Sequence, residues 1–78
     1  MLFRSVTQSW EEAVYWYERS AEKREARAHY RLAWCVEYGQ GTELSKERAL
    51  ELYRFAAERE YPGAAEAVER LERALGGT

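Results

Sequence analysis

The sequence predicts an all-α protein, a segment of α-α superhelix (solenoid) made of two helical hairpins and therefore four helices. Ala, Leu, Glu and Arg, which favour helices, dominate the 78 residues. Thr, Val and Ile, which favour strands, are scarce. The sequence also repeats itself at a constant offset of 36 residues, the separation of Ser9 from Ser45. A repeat of this length is typical of stacked helical hairpins.

The repeat divides the chain into two similar units. Several identical residues align at the offset, namely Ser9/Ser45, Glu11/Glu47, Ala13/Ala49, Tyr17/Tyr53, Ala21/Ala57, Glu22/Glu58 and Ala28/Ala64. We therefore expect an N-terminal loop over 1–8, a first hairpin over 9–42 and a second hairpin over 45–76.

The first helix is expected to begin after Ser9, whose hydroxyl can cap it, with Glu12 placed to complete a capping box. It should run to about Lys23. Its apolar positions recur with the helical period and predict the core face, which comprises Trp10, Ala13, Val14, Trp16, Tyr17 and Ala21.

The second helix is expected to end at Gly39, because glycine readily adopts the left-handed conformation that closes a helix. A loop over 39–44 then leads to the second hairpin. The apolar face of this helix consists of Ala28, Leu32, Cys35 and Val36.

Ser45 is expected to cap the third helix, and Pro62 to lie in the first turn of the fourth, where its missing N–H costs nothing. The third helix has the predicted core face Ala49, Leu50, Leu52, Tyr53, Ala56 and Ala57. The fourth should end at Gly76-Gly77 and bury Ala64, Ala67, Val68, Leu71 and Leu75.

Composition argues against several functional classes. The formal net charge is −2 with both signs interspersed, and no basic patch predicts nucleic-acid binding. No apolar run approaches the roughly 20 residues of a membrane span. The opening residues 1–6 are too short and too polar for a secretory signal. A cytoplasmic protein is therefore expected, or an exported one if a signal segment has been removed.

The sequence offers few groups for chemistry. Cys35 is the single cysteine, so no disulfide forms within the chain, and with His29 it supplies only two of the roughly four ligands of a structural zinc site. His29 lacks an evident nucleophile and cleft. Gly39-Gln40-Gly41 is a turn, since the Lys-Ser/Thr of a phosphate-binding loop does not follow. We expect no enzyme activity, no metal and no cofactor.

The spaced residues of both units resemble the Sel1-like repeat family, a group of α-helical solenoid repeats similar to tetratricopeptide repeats. The segments that carry the resemblance are Ala13-x-x-Trp16-Tyr17-x-x-Ser20-Ala21-Glu22, Ala28-x-x-x-Leu32-Ala33, Gly39-Gln40-Gly41 and Ala49-x-x-x-Tyr53-x-x-Ala56-Ala57-Glu58. The resemblance implies an adaptor or scaffold that binds a protein or peptide on a concave surface lined by the first helix of each hairpin.

The helical wheel then predicts which residues line that surface. They are Glu11, Tyr15, Glu18, Glu22, Glu47, Glu51, Arg54 and Phe55. This mostly acidic strip suits a basic helix or peptide. Tyr15 and Phe55 are expected to be exposed, and large exposed aromatics are enriched at binding hot spots. The other interpretation is an ordinary solvated charged face.

A second feature is the aromatic stripe Tyr30, Trp34 and Tyr38, flanked by Arg27 and Arg31. The stripe is either a contact for a partner or missing repeat, or part of a broad buried face on a helix with neighbours on both sides. Two alternatives to the adaptor function follow from the sequence. One is self-association through the open solenoid ends into a homo-oligomer, and the other is a small inhibitor or immunity-type protein.

Overall fold

The computed structural model describes residues 9–76 and shows four helices with no strand in that range. The helices are α1 (Trp10–Ala21), α2 (Ala26–Tyr38), α3 (Lys46–Glu58) and α4 (Ala64–Gly76). The predicted all-α class is confirmed. The N-terminal loop expected over 1–8, and Gly77, lie outside the described residues.

Both predicted serine caps are formed. The Ser9 hydroxyl accepts from the Glu12 N–H at 3.1 Å, and the Ser45 hydroxyl accepts from the Arg48 N–H at 3.2 Å. Each bond satisfies a donor that has no partner within its helix. The cap at Ser9 therefore fixes the start of α1, and the cap at Ser45 that of α3.

The end of α1 is earlier than predicted. The helix stops at Ala21 rather than Lys23, and the chain turns through Arg24, whose φ is 64°. The N–H of Arg24 bonds to the Ala21 carbonyl at 2.8 Å, so a tight turn replaces the last expected helical turn.

Two glycines shape the connection between the hairpins. Gly39 closes α2 in the left-handed conformation with φ 69°, as predicted. Gly41 has φ 78° and lies against the carbonyl group of Trp10, so a side chain there would meet the backbone of α1. The loop therefore holds the start of α1 by close backbone contact.

The prediction for Pro62 was wrong. The residue lies in the turn before α4, which begins only at Ala64. Gly63 stands between them with φ 88°, a conformation that cannot be part of a right-handed helix. The turn is closed by the Ala64 N–H, which bonds to the Tyr61 carbonyl at 3.1 Å.

The helices pack in chain order, α1 on α2, α2 on α3 and α3 on α4. The core lies around α2 and α3, and every residue of the predicted α2 face is buried. The small residues Ala33, Ala49, Ala56 and Ala64 are completely buried, which allows close approach of the helix backbones. At the edge of the core, Leu52, Ala57 and Val68 are half-buried.

Three predicted core residues are instead exposed. Trp10 is exposed in the first turn of α1, and Leu75 in the last turn of α4. Trp16 is 59 % exposed, the largest value among the exposed large apolar residues. Because α1 packs mainly against α2, only Val14 of that helix is buried, while Ala13, Tyr17 and Ala21 are half-buried.

Candidate protein-binding surfaces

The predicted strip occupies one surface of α1 and one of α3, here called the first-helix surface. On α1 the residues lie three or four positions apart, which places them on one side of the helix. The residues of this surface that are exposed are Glu11, Tyr15, Glu22, Glu47, Glu51 and Arg54, and Glu18 is half-buried.

Ion pairs link this surface to neighbouring helices. Glu18 and Arg48 approach to 3.7 Å between α1 and α3, and Arg54 donates to Glu72 of α4 at 2.8 Å. Both pairs are solvent-exposed, so each contributes little to stability. These pairs matter more for the charge of the first-helix surface than for stability, because the Arg54–Glu72 pair directs the positive charge of Arg54 toward α4.

Four carboxylates of the surface keep their charge unpaired. Over residues 9–76, no ion pair involves Glu11, Glu22, Glu47 or Glu51. Tyr15, on the α1 part of the same surface, is 49 % exposed. The first-helix surface is therefore predominantly acidic and carries one exposed aromatic side chain.

Tyr15 has ordered neighbours on its own helix. Its ring meets that of Trp16 edge-to-face, with centroids 5.1 Å apart and planes at 81°. The guanidinium of Arg19 lies 5.3 Å from the Tyr15 centroid. The two exposed aromatic rings therefore form a pair that borders the acidic surface, a feature that the expected burial of Trp16 had hidden.

The expectation that Phe55 is an exposed member of this surface was wrong. Phe55 is half-buried, and its ring stacks on the His29 ring with centroids 3.6 Å apart. The Arg59 guanidinium lies 3.7 Å from the Phe55 centroid. His29 is oriented for this contact because its Nδ1 donates to the Glu25 carbonyl at 2.7 Å. Phe55 thus belongs to the contact between α2 and α3.

A buried ionic network, which the sequence did not predict, joins α2, α3 and α4. Glu37 is 1 % exposed. Its carboxylate accepts from the Tyr53 hydroxyl at 2.9 Å and from both terminal nitrogens of Arg70. The helical spacing of Glu37 from Tyr30 and Ala33, which face α3, was the feature of the sequence that could have indicated its burial.

The partners of Glu37 decide its charge state. Burial by itself would raise the pKa of the Glu37 carboxyl, but hydrogen bonds from Arg70 and Tyr53 and the charge of Arg70 lower it below its usual range. Burial first, and then the hydrogen bond to Glu37 and the negative charge of Glu37, raise the pKa of the Tyr53 hydroxyl. Glu37 is therefore ionised, satisfied and structural.

The aromatic stripe of α2 is divided between core and surface. Tyr30 is half-buried, with its ring centroid 5.4 Å from that of Tyr53 and 5.0 Å from that of Tyr61. Trp34 and Tyr38 are exposed, and Trp34 contacts Trp10 at 5.5 Å between centroids. Burial therefore applies to Tyr30, and contact of Trp34 and Tyr38 with a partner stays a prediction.

Two surface cavities open along α1 and α2 beside this stripe. One, of about 360 Å³, is lined by Tyr17, Ser20, Glu25, Arg27, Ala28 and Arg31. The other, of about 310 Å³, is lined by Trp10, Tyr17, Tyr30, Arg31, Trp34, Cys35 and Tyr61. They share Tyr17 and Arg31 and are therefore adjacent, and together they are called the groove. The Cys35 thiol that borders it is buried, which raises its pKa.

Little in the described residues points to chemistry. Across 9–76 no cluster of three His, Cys, Asp or Glu side chains could hold a metal ion. In the same range no helix has the length and apolar character needed to cross a membrane.

Comparison with known proteins gives one match. The sequence model described as Sel1 repeat matches residues 4–24 and 26–61. No curated protein and no solved structure matches the chain. The two matched segments cover α1, α2, α3 and the loops between them.

Proposed function

The chain belongs to the Sel1 repeat family, whose repeats generally mediate protein–protein interactions, and from this premise we propose that it binds a protein or peptide partner on the first-helix surface without catalysing a reaction. The family is a non-catalytic interaction repeat. To this general role of the family, the proposal adds which surface of the chain binds and what chemical character the partner has.

One observation carries the choice of surface. Glu11, Glu22, Glu47 and Glu51 on the first helices of the two hairpins are exposed and form no ion pair within residues 9–76, and the Tyr15 ring on α1 is exposed as well. Unpaired charges of one sign attract a partner of the opposite sign and accelerate its association. The exposed ring supplies apolar area and a face for cations. The expected partner is therefore a basic helix or peptide.

Affinity capture from a lysate of the source cells tests the proposal. The wild-type chain is compared with the double variant Tyr15→Ala/Glu51→Lys, which removes the ring and reverses one charge. We expect a basic partner to be retained by the wild type and lost by the double variant, and retention to weaken as salt is raised.

The matched control is Glu69→Lys, which makes the same charge change at an exposed position on α4, outside the first-helix surface. It should retain the partner, and circular dichroism should show the same helicity for all three proteins. A partner that the double variant holds as firmly as the wild type would exclude this surface.

A further inference from the structure

One flank of the first hairpin is open where the second hairpin is covered. On α3, Ala49, Tyr53 and Ala56 share the face that meets α2, and all three are fully buried. Their equivalents at the 36-residue offset are Ala13, Tyr17 and Ser20 of α1, which are only half-buried. Within residues 9–76, no helix covers α1 as α2 covers α3.

The same comparison applies to the second helix of each hairpin. Gly63 just before α4 and Ala67 and Arg70 on α4 recur at helical spacing on one face, and Gly63 and Arg70 contact α2. Gly63 lies close to the Tyr30 ring, Ala67 is buried, and Arg70 binds Glu37.

The equivalents of these three residues on α2 are Arg27, Arg31 and Trp34, all exposed. No ion pair in the described range involves Arg27 or Arg31. We call the surface formed by Ala13, Tyr17, Ser20, Arg27, Arg31 and Trp34 the open flank. It is aromatic and basic, and it contains the groove described above.

The opposite end of the molecule has the complementary charge. The α2 residues that contact the second hairpin include Tyr30 and Glu37, with Ala33 buried between them. Their equivalents on α4 are Glu66, Glu69 and Arg73, which are exposed. None of these three forms an ion pair with a described residue.

The contact inside the molecule predicts which of these residues would meet. Gly63 contacts Tyr30, since a Cβ atom at Gly63 would lie 3.1 Å from the Tyr30 hydroxyl. The equivalents of Gly63 and Tyr30 at the 36-residue offset are Arg27 and Glu66, so these two residues would meet in a junction. Arg70 and Tyr53 bind Glu37, so Arg73 would meet the rings of Trp34 and Tyr17. An acid would thus meet a base, and a guanidinium would meet aromatic faces.

We propose that the open flank binds α4 of a second copy of this chain, in the orientation in which α2 lies on the second hairpin. The inference goes beyond the proposed function, because it uses a different surface. The two faces of the junction differ, so the contact is heterologous and repeats head to tail into longer chains. One repulsion opposes this junction. Tyr61 contacts Tyr30 within the molecule, and the equivalents of these two residues in the junction are Glu25 and Glu66, which carry the same charge. The association is therefore weak and sensitive to salt.

Sedimentation equilibrium of the full chain tests this junction. The weight-average mass should rise above 9.2 kDa as concentration increases from about 10 µM to about 1 mM, the range of weak contacts, and should fall again when salt is added. Arg27→Glu alone and Glu66→Arg alone should each weaken association about tenfold or more, since each places like charges together.

Mixing the two single variants gives the sharpest result. The carboxylate introduced at position 27 of one variant would then meet the guanidinium introduced at position 66 of the other. At the other junction between the two variants, the unchanged Glu66 of the Arg27→Glu variant meets the unchanged Arg27 of the Glu66→Arg variant. Association should therefore return. Glu43→Arg serves as control and should associate like the wild type. A wild-type mass that stays at 9.2 kDa over the whole range overturns the proposal, as does association that survives Arg27→Glu or a mixture that remains monomeric.

Discussion

The Tyr53 hydroxyl donates a 2.9 Å hydrogen bond to Oε1 of Glu37 inside the contact between α2 and α3. Arg70 of α4 donates to the same carboxylate from the solvent side, where half of its own side chain is exposed. Glu37 is the buried charged residue among those described, and its two partners lie on two other helices. Three of the four helices therefore depend on one carboxylate.

Removing Arg70 should destabilise the protein more than removing Glu37. We expect Arg70→Met to lower the free energy of unfolding by about 2 to 3 kcal/mol, because it leaves a buried carboxylate without its counter-ion. Glu37→Gln should cost about 1 to 2 kcal/mol, since the amide can still accept from Tyr53. Urea unfolding followed by circular dichroism measures both.

Arg73→Met is the matched control for Arg70→Met, because Arg73 lies one turn further along α4 and is exposed. Its effect should stay within about 0.5 kcal/mol. The double variant Glu37→Gln/Arg70→Met should lose less than the sum of the single losses. Equal losses for the two arginines would show that Glu37 needs no counter-ion.

The lowered pKa of Glu37 gives the network a defined pH dependence. A carboxyl whose pKa is lower in the folded than in the unfolded state stabilises the fold above the unfolded value of about 4.3. That contribution disappears as pH falls through the folded pKa. The stability difference between wild type and Glu37→Gln should therefore be constant from pH 7 to about 5 and shrink below about 4. Urea midpoints of both proteins across this range measure it. A difference that grows on acidification would contradict the assigned direction.

Gly41 should tolerate alanine much less well than Gly39. Both have positive φ, but a Cβ at Gly41 would lie within 2.7 Å of the Glu11 nitrogen and closer still to the Trp10 carbonyl group, all backbone atoms of α1. At Gly39 its nearest neighbours would be Leu44 atoms, the side-chain Cβ at 3.2 Å and the backbone Cα at 3.7 Å. We expect a loss of about 1 kcal/mol for Gly39→Ala and about 3 kcal/mol or more for Gly41→Ala. Thermal unfolding compares them, and equal losses would show that the loop moves away from α1 without cost.

Local signals in the sequence predicted much of this fold. Ser9 and Ser45 cap their helices as expected, and Gly39 closes α2, because each acts on atoms within a few residues. The wheel of α2 identified a face that is buried throughout.

Burial that depends on distant neighbours was harder to predict. The apolar pattern of α1 shows which side of the helix Trp16 is on but not whether another described helix covers that side, so the exposure of Trp16 was missed. The charge of Glu37 is balanced by Arg70, which lies 33 positions further along the chain, and no residue near Glu37 in sequence indicates this ion pair. Phe55 was predicted to be exposed on the partner-binding surface for the same reason, since its stacking partner His29 lies on another helix.

Glu60 offers a substitution that should stabilise the protein. It follows α3 with φ 60°, as Arg24, its equivalent at the 36-residue offset, follows α1 with φ 64°. Left-handed conformations are strained for residues with a side chain and unstrained for glycine. Glu60→Gly should therefore raise the free energy of unfolding by about 0.5 to 1 kcal/mol, because relief of that strain exceeds the added freedom of the unfolded chain.

Arg24→Gly separates backbone strain from side-chain contact. The Arg24 guanidinium lies 5.3 Å from the Phe55 centroid, and glycine would remove that contact while relieving the same strain. We therefore expect Arg24→Gly to stabilise less than Glu60→Gly, by a difference of about 0.5 kcal/mol or more. Urea unfolding of both variants beside Glu60→Ala, which keeps the strain, provides the comparison. If Glu60→Ala were as stabilising as Glu60→Gly, the gain would come from removing an exposed charge and not from the backbone.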